Sequence, residues 1–284
     1  MIFKFKNRTL KFDKGTLIMG VHNATPDSFS DGGLYKTIDE EINHCCNMYN
    51  DGADIIDIGG ESTKPGDNSS ICIDEELSRV IPIIIGVKKK YPESIISIDT
   101  IRPEVANEAI KSGADIINDV SGMMYSEKIA QIASDTGAGL ILMHMKEKPK
   151  ASSSDYEYEN LLNDIIAFLT QAVTIAKSYG VKDTNLIIDP GIGGGSFGKN
   201  STQNIEILAK ISEFKKIGYP ILIGASRKSF IGDIISEPIS QKRIYGNLAV
   251  AACIAQNDIE IIRVHDVKAT YQFLKMYNTI KNYN

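Results

Sequence analysis

The chain has no tryptophan, only four histidines and four cysteines, no excess of positive charge and no apolar run long enough to cross a membrane. Each absence excludes something. Cys45 and Cys46 are adjacent, while Cys72 and Cys253 stand far apart, so there is no C-x-x-C pair for a structural zinc or a redox disulfide. Reduced thiols in a cytoplasmic protein are the expectation. A net charge of −5 removes the electrostatic footprint of a nucleic-acid or membrane-surface binder, so an anionic ligand must be held by a few placed cations. The opening segment MIFKFKNRTLKF alternates apolar and basic residues. It lacks the apolar core of a secretory signal and suits a short β-hairpin.

What is present is a repeated unit of short Ile/Leu/Val runs and helical stretches. Apolar runs end near Val21, Ile58, Ile98, Ile117, Met143, Ile188, Ile223 and Val264. Continuous runs of this length suit parallel strands covered on both faces. Between them lie helical patterns, at about 38–50, 74–87 with Asp74 as its cap, 103–112, 127–135, 157–179, 202–216, 241–257 and 267–277. Eight such units predict an α/β (βα)8 barrel, a single domain over residues 1–284, with the hairpin in front. The rival, a doubly wound open sheet, lacks a G-x-G-x-x-G after its first strand.

A barrel of this kind carries its site where the strands end. Here the ends are Asn23, Glu61 to Lys64, Asp99, Asn118, His144, Asp189, Ser226 to Lys228, and Arg263 with His265. Asp189 could accept from a ring N–H and an exocyclic amine together, and Asn118 offers both a donor and an acceptor; a 2-aminopyrimidinone ring fits such groups. Asp99 and Asp189 could equally cap the loops that follow them. Arg263 and His265 before a helix start, with a second cationic group at Ser226-Arg227-Lys228-Ser229, suit a phosphate. Asp266 reads as the cap of that last helix. No nucleophile stands beside His144 or His265, so the chemistry expected is loss of a phosphorylated leaving group. A Mg2+ ion could ride on a diphosphate with Asn23 as its protein oxygen. The first long loop carries Thr25, Asp27 and Phe29; Phe29 either closes over a ligand or anchors the loop.

Several segments together resemble the dihydropteroate synthase family of pterin-binding barrels over nearly the whole chain. They are Asn23-Ala-Thr-Pro-Asp-Ser-Phe-Ser-Asp-Gly-Gly33, Asp57-Ile-Gly-Gly-Glu-Ser-Thr-Lys-Pro-Gly66, Ser97-Ile-Asp-Thr100, Ile117-Asn-Asp-Val-Ser-Gly122, Leu142-Met-His-Met145, Asp189-Pro-Gly-Ile-Gly193, Gly224-Ala-Ser-Arg-Lys-Ser229 and Arg263-Val-His-Asp266. The resemblance implies a sulfonamide-target transferase of folate biosynthesis. Its reaction would join (7,8-dihydropterin-6-yl)methyl diphosphate to 4-aminobenzoate, giving 7,8-dihydropteroate and diphosphate. It implies a pterin pocket of Asp99, Asn118, Asp189 and Lys228, with Met143 as a further substrate contact. Asn23, Arg263 and His265, with Thr63 nearby, would form a Mg2+–diphosphate site, with Arg263 contacting only the leaving group and Lys64 a further substrate contact. Phe197, Ser229 and the loops of Thr25, Asp27, Phe29 and Pro65 would surround the aminobenzoate. A homodimer is also implied.

The chain departs from the family pattern in places. Lys64 stands where Arg is common, keeping the charge but losing the bidentate fork. His22 and Ala24 replace an apolar pair around Asn23. Three extra small residues lie within Ile192–Asn200, and Lys146-Glu147 replaces Gln-Gly. A corrinoid-dependent methyltransferase of the same superfamily would share the Asp/Asn pocket. It has no need of Thr25-Pro-Asp-Ser-Phe-Ser30 or Ser226-Arg-Lys-Ser229. A silent pterin-binding paralogue would have lost the first loop or the diphosphate cations, and both are intact.

Overall fold

A computed structural model of the chain describes residues 1–13, 15–25, 37–61, 71–146, 157–194 and 197–283. The expected hairpin is present as β1 (Ile2–Phe5) and β2 (Arg8–Lys11), antiparallel. Its alternation sends Phe3 and Phe5 inward. Both are fully buried, in one cluster with Leu17, Met19, Ile55, Ile95, Ile116, Ile141, Ile187, Leu222 and Ile261. Gly139 permits the approach, because a Cβ there would sit 2.3 Å from the Phe3 ring. The hairpin thus stoppers the end of the barrel at which the strands begin.

The barrel strands are β3 (Leu17–Asn23), β4 (Ile55–Gly59), β5 (Ile96–Asp99), β6 (Ile116–Asp119), β7 (Gly139–Met143), β8 (Leu186–Asp189), β9 (Leu222–Ile223) and β10 (Ile261–Val264). All pair in parallel in the order β8-β7-β6-β5-β4-β3-β10-β9. A parallel bridge between Ile188 and Ile221 closes the ring. The expected (βα)8 barrel is therefore the architecture found. Alternate strand residues, such as Ile56, Ile98, Ile117 and Leu140, pack outward in a second cluster with the helices. Each such aliphatic side chain contributes roughly 1.5–3 kcal/mol when fully buried.

The helices are α1 (Ile38–Asn50), α2 (Ile73–Lys90), α3 (Pro103–Lys111), α4 (Lys128–Thr136), α5 (Leu161–Ser178), α6 (Ser201–Ala209), α7 (Ser229–Ile235), α8 (Ile244–Gln256) and α9 (Val267–Lys281). Thr37 with Glu40, and Asn200 with Gln203, form capping boxes that satisfy otherwise orphaned N–H groups. Three expectations are corrected. Cys72, not Asp74, holds the N-cap position of α2, and Asp74 lies in the first turn, where its charge suits the helix dipole. The pattern at 202–216 divides into α6 and a 3-10 helix, Ile211–Ile217. Ile211, Phe214 and Ile217 recur every three residues, and a three-residue turn aligns them on the core. Helix α7 falls in a stretch read as connection. No helix of the described residues is long and apolar enough to cross a membrane.

Candidate functional site

Strand parity decides which polar groups enter the barrel. The interior residues Met19, Ile55, Ile116, Ile141, Ile187 and Ile261 share parity with Asn23, Asp57, Ser97, Asp99, Asn118, Met143, Asp189 and Arg263. Register then aligns Asn23, Gly59, Asp99 and Asn118 across four adjacent strands, and pairs Met143 with Asp189. His22 and Asp119 have the opposite parity. Asp119 turns outward, where its carboxylate accepts from the backbone N–H groups of Ser121 and Met123.

Arg263 lies at the centre of this mouth. Its Nε donates to Asp57 Oδ2 at 2.7 Å and its Nη2 to Asp99 Oδ2 at 2.7 Å. Two carboxylates thus hold its fork within the protein itself. Asn118 Nδ2 donates to the same Asp57 oxygen at 3.1 Å. Burial lifts the Asp99 carboxyl to about 7, against the pull of Arg263 and with the help of Asp57, Glu76 and Asp119.

Across the mouth, Asp189 Oδ1 accepts the Gly191 N–H at 2.7 Å. Burial raises its carboxyl to about 6, opposed by that hydrogen bond and by Lys228, Lys199 and Arg263. Lys228 donates to the Ile192 carbonyl, and its ammonium lies 4.4 Å from the centre of the Phe197 ring. Burial lowers its pKa to about 8. Lys199 is only 3% exposed, and its Nζ lies 3.0 Å from both His144 Nδ1 and the Phe197 carbonyl. Burial brings Lys199 to about 7, and drives His144 far below its usual value, with Lys199 and Lys146 adding to the effect. Burial thus keeps the His144 ring neutral.

His265 takes the backbone and ring side of Ser226: its N–H and Nδ1 both lie 3.2 Å from Ser226 Oγ. Burial, then Arg227, Arg263, Lys228 and His44, hold its imidazole well below the usual value. Asp266 holds the N-cap position of α9 as expected, but its side chain makes no capping bond. Its carboxylate instead grips Arg227 through Nε at 3.3 Å and Nη2 at 2.7 Å, and accepts from Asn247 Nδ2. Ser229 opens α7 and is exposed. Thr25 follows β3 and is half-buried.

The structure therefore brings Asn23, Asp99, Asn118, Met143, Asp189, Phe197, Lys228, Arg263 and His265 to one end of the barrel. Asp27, Phe29, Thr63, Lys64 and Pro65 lie outside the described residues, as do two of the small residues following Gly194. Two further participants, Asp57 and Lys199, were not singled out in the sequence. A carboxylate inside Ile55-Ile56-Asp57-Ile58 at inward parity is the signal that could have found the first. Lys199, in a Gly-rich turn, carries no such signal. Among the described residues no group of three or more His, Cys, Asp or Glu could hold a metal ion.

A carboxylate and an amide at one barrel mouth, with lysine and arginine beside them, can read a flat heterocycle along its donor edge and stabilise negative charge beside it. Comparison with known proteins agrees with this chemistry. A family model described as pterin binding enzyme matches residues 19–265. A dihydropteroate synthase of Clostridium beijerinckii is 41% identical over 278 residues, spanning 98% of each chain. The solved dihydropteroate synthase of Yersinia pestis in complex with a sulfonamide drug superposes with a TM-score of 0.91, at 35% identity and 99% coverage of each chain. That of Xanthomonas albilineans with 4-aminobenzoic acid gives 0.90 at 33% identity, covering 100% of this chain and 99% of the other.

Proposed function

The chain belongs to the pterin-binding enzymes, among the dihydropteroate synthases, and from that membership we propose how the groups at its barrel mouth divide the work. The reaction joins 4-aminobenzoate to (7,8-dihydropterin-6-yl)methyl diphosphate and yields 7,8-dihydropteroate and diphosphate. Asp189, held by the Gly191 N–H, receives the ring N–H and exocyclic amine of the pterin. Asn118 completes that edge, and Lys228 donates to a ring acceptor. The observation that carries this reading is the buried Asp189 carboxylate, flanked by two lysines and fixed by one backbone donor.

No protein nucleophile is needed. The C–O bond to the leaving group breaks with its electron pair going to diphosphate. The resulting pterin-methyl cation is attacked by the arylamine nitrogen, which then loses a proton. Asp99, tied to Arg263, lines the pterin side, and Arg263 and the neutral His265 supply donors on the diphosphate side. Asn23 offers a single amide oxygen, a donor set suited to an ion that keeps its waters and takes its other ligands from the diphosphate. Mg2+ bound there would neutralise charge building on the leaving group.

Phe197 and Ser229, with the loop residues Thr25, Asp27, Phe29 and Pro65, complete the aminobenzoate side, and Thr63 and Lys64 belong to the reading as further substrate contacts. A homodimer is part of the same reading. Exposed Ile234, Ile235, Ile239 and Tyr245 on and between α7 and α8 support it, and sedimentation tests it. A cytoplasmic location is likewise part of the reading, supported by four free cysteines. The direct test mixes both substrates with Mg2+ and follows diphosphate. Release that requires 4-aminobenzoate and matches dihydropteroate formed supports the proposal. Failure to form dihydropteroate from the two substrates, or dihydropteroate formed without an equal amount of diphosphate, overturns it.

A further inference from the structure

We infer that Asp57 is a positioning residue for the condensation: its carboxylate, one layer below the mouth, sets which group of the Asn118 amide meets the pterin and fixes the plane of the Arg263 fork beside it. The inference rests on the pterin pocket proposed above.

Asp57 is fully buried in the middle of β4 and faces the barrel interior. A single oxygen, Oδ2, accepts from Asn118 Nδ2 at 3.1 Å and from Arg263 Nε at 2.7 Å. An ionised carboxylate only accepts, so it admits one orientation of the Asn118 amide: NH2 towards Asp57, carbonyl oxygen on the opposite side. An amide that chose freely could present either group to a ligand and would read its ring edge ambiguously. The same bond ties Arg263 by Nε, while Asp99 takes Nη2, so the guanidinium plane is fixed at two points.

The arrangement is a poor device for stability alone. Asp57 Oδ1 is buried and has no hydrogen-bond partner among the described residues. Ser97, its in-register neighbour on β5, likewise has a buried Oγ without one. A buried carboxylate half satisfied by the protein costs free energy that an apolar residue would not. Its two satisfied contacts both lead upward to groups at the mouth.

The test uses the isosteric Asp57→Asn variant, which keeps the volume and removes the acceptor-only character. Phosphate-free 6-hydroxymethyl-7,8-dihydropterin is titrated into wild type, Asp57→Asn, Asn118→Ala and the double variant. Ring affinity should fall about 10- to 100-fold in Asp57→Asn, the factor expected for a lost hydrogen bond involving a charged group. In the Asn118→Ala background the same substitution should cost no more than about 3-fold, because its effect passes largely through the amide. A purely structural role would lower affinity by the same factor in both backgrounds, and that result overturns the inference, as does unchanged ring affinity in Asp57→Asn. A wild type that fails to bind the ring overturns the pocket reading itself, and the inference with it. As a check independent of binding, the Asn118 side-chain NH2 resonances, identified by their absence in Asn118→Ala, should shift in Asp57→Asn. Resonances left unmoved contradict the contact.

Discussion

Replacing Gly191 by alanine should damage the pterin pocket more than its small size implies. Gly191 has a φ of +70°, and a Cβ there would lie 2.2 Å from the backbone carbonyl oxygen of His144. The left-handed conformation alone costs a residue with a side chain roughly 1–2 kcal/mol. The clash is with main chain, so no rotamer relieves it and the turn itself must move. That movement takes the Gly191 N–H away from Asp189 Oδ1, now 2.7 Å distant. Loss of a hydrogen bond to a charged group adds about 1.5–3 kcal/mol. The two costs together come to about 2.5–5 kcal/mol, felt in stability and in ring binding. Gly218→Ala is the control: Gly218 has φ +88°, but a Cβ there would meet nothing within 4 Å. It should cost only the conformational part. Urea denaturation and dihydropterin calorimetry on both variants decide the matter. If Gly191→Ala is no worse than Gly218→Ala and binds the ring normally, the Asp189–Gly191 contact does not organise the site.

Stability should depend on pH through the same buried groups. Asp99 at about 7 and Asp189 at about 6 lie above their unfolded value of roughly 3.9. Between about pH 4 and 7 the folded chain therefore binds more protons than the unfolded one. The contribution of these carboxyls is full below that window and is lost as the pH rises through it. Lys199 at about 7 and Lys228 at about 8 lie below their unfolded value of roughly 10.4, so their contribution is full above that value and is lost as the pH falls to about 7. The site is thus least favourable to folding near neutrality, and Asp189→Asn should remove on the order of 3 kcal/mol of the decline between pH 4 and 7, read from urea midpoints across that range. Separately, Arg102→Ala should destabilise by about 3–5 kcal/mol, because Glu76, only 1% exposed, loses the guanidinium that it shares with Glu61 and the Ile71 carbonyl. Adding Glu76→Gln to Arg102→Ala should recover part of that loss in the same denaturation assay.

The barrel was legible because each strand is a short aliphatic run that ends abruptly in a polar residue, and that pattern survives without knowledge of neighbours. The identity of Asp99, Asn118, Asp189 and Lys228 as mouth residues followed from those endings. What the endings could not convey was pairing across the ring. Asp57 and Arg263 stand 206 positions apart, so the carboxylates that hold the fork were invisible until β4 and β10 were placed on either side of β3. Asp266 shows the same limit on a smaller scale. Local sequence places the cap of α9 correctly at that position, but a tertiary partner, Arg227, takes the carboxylate that a local cap would use. The start of α2 moved for a different reason: Asp74 suits the first turn of a helix as well as its cap, and charge alone cannot separate the two.

The most direct test of the account is calorimetric titration of a phosphate-free dihydropterin into the wild-type protein and into Asp189→Asn at neutral pH. An amide there presents an NH2 group against the donor edge of the ring in place of a carboxylate oxygen. Wild type should bind, and the variant should bind about 10- to 100-fold more weakly, a loss of about 1.5–3 kcal/mol. Equal affinity in the two proteins would contradict the claim that Asp189 reads the pterin ring.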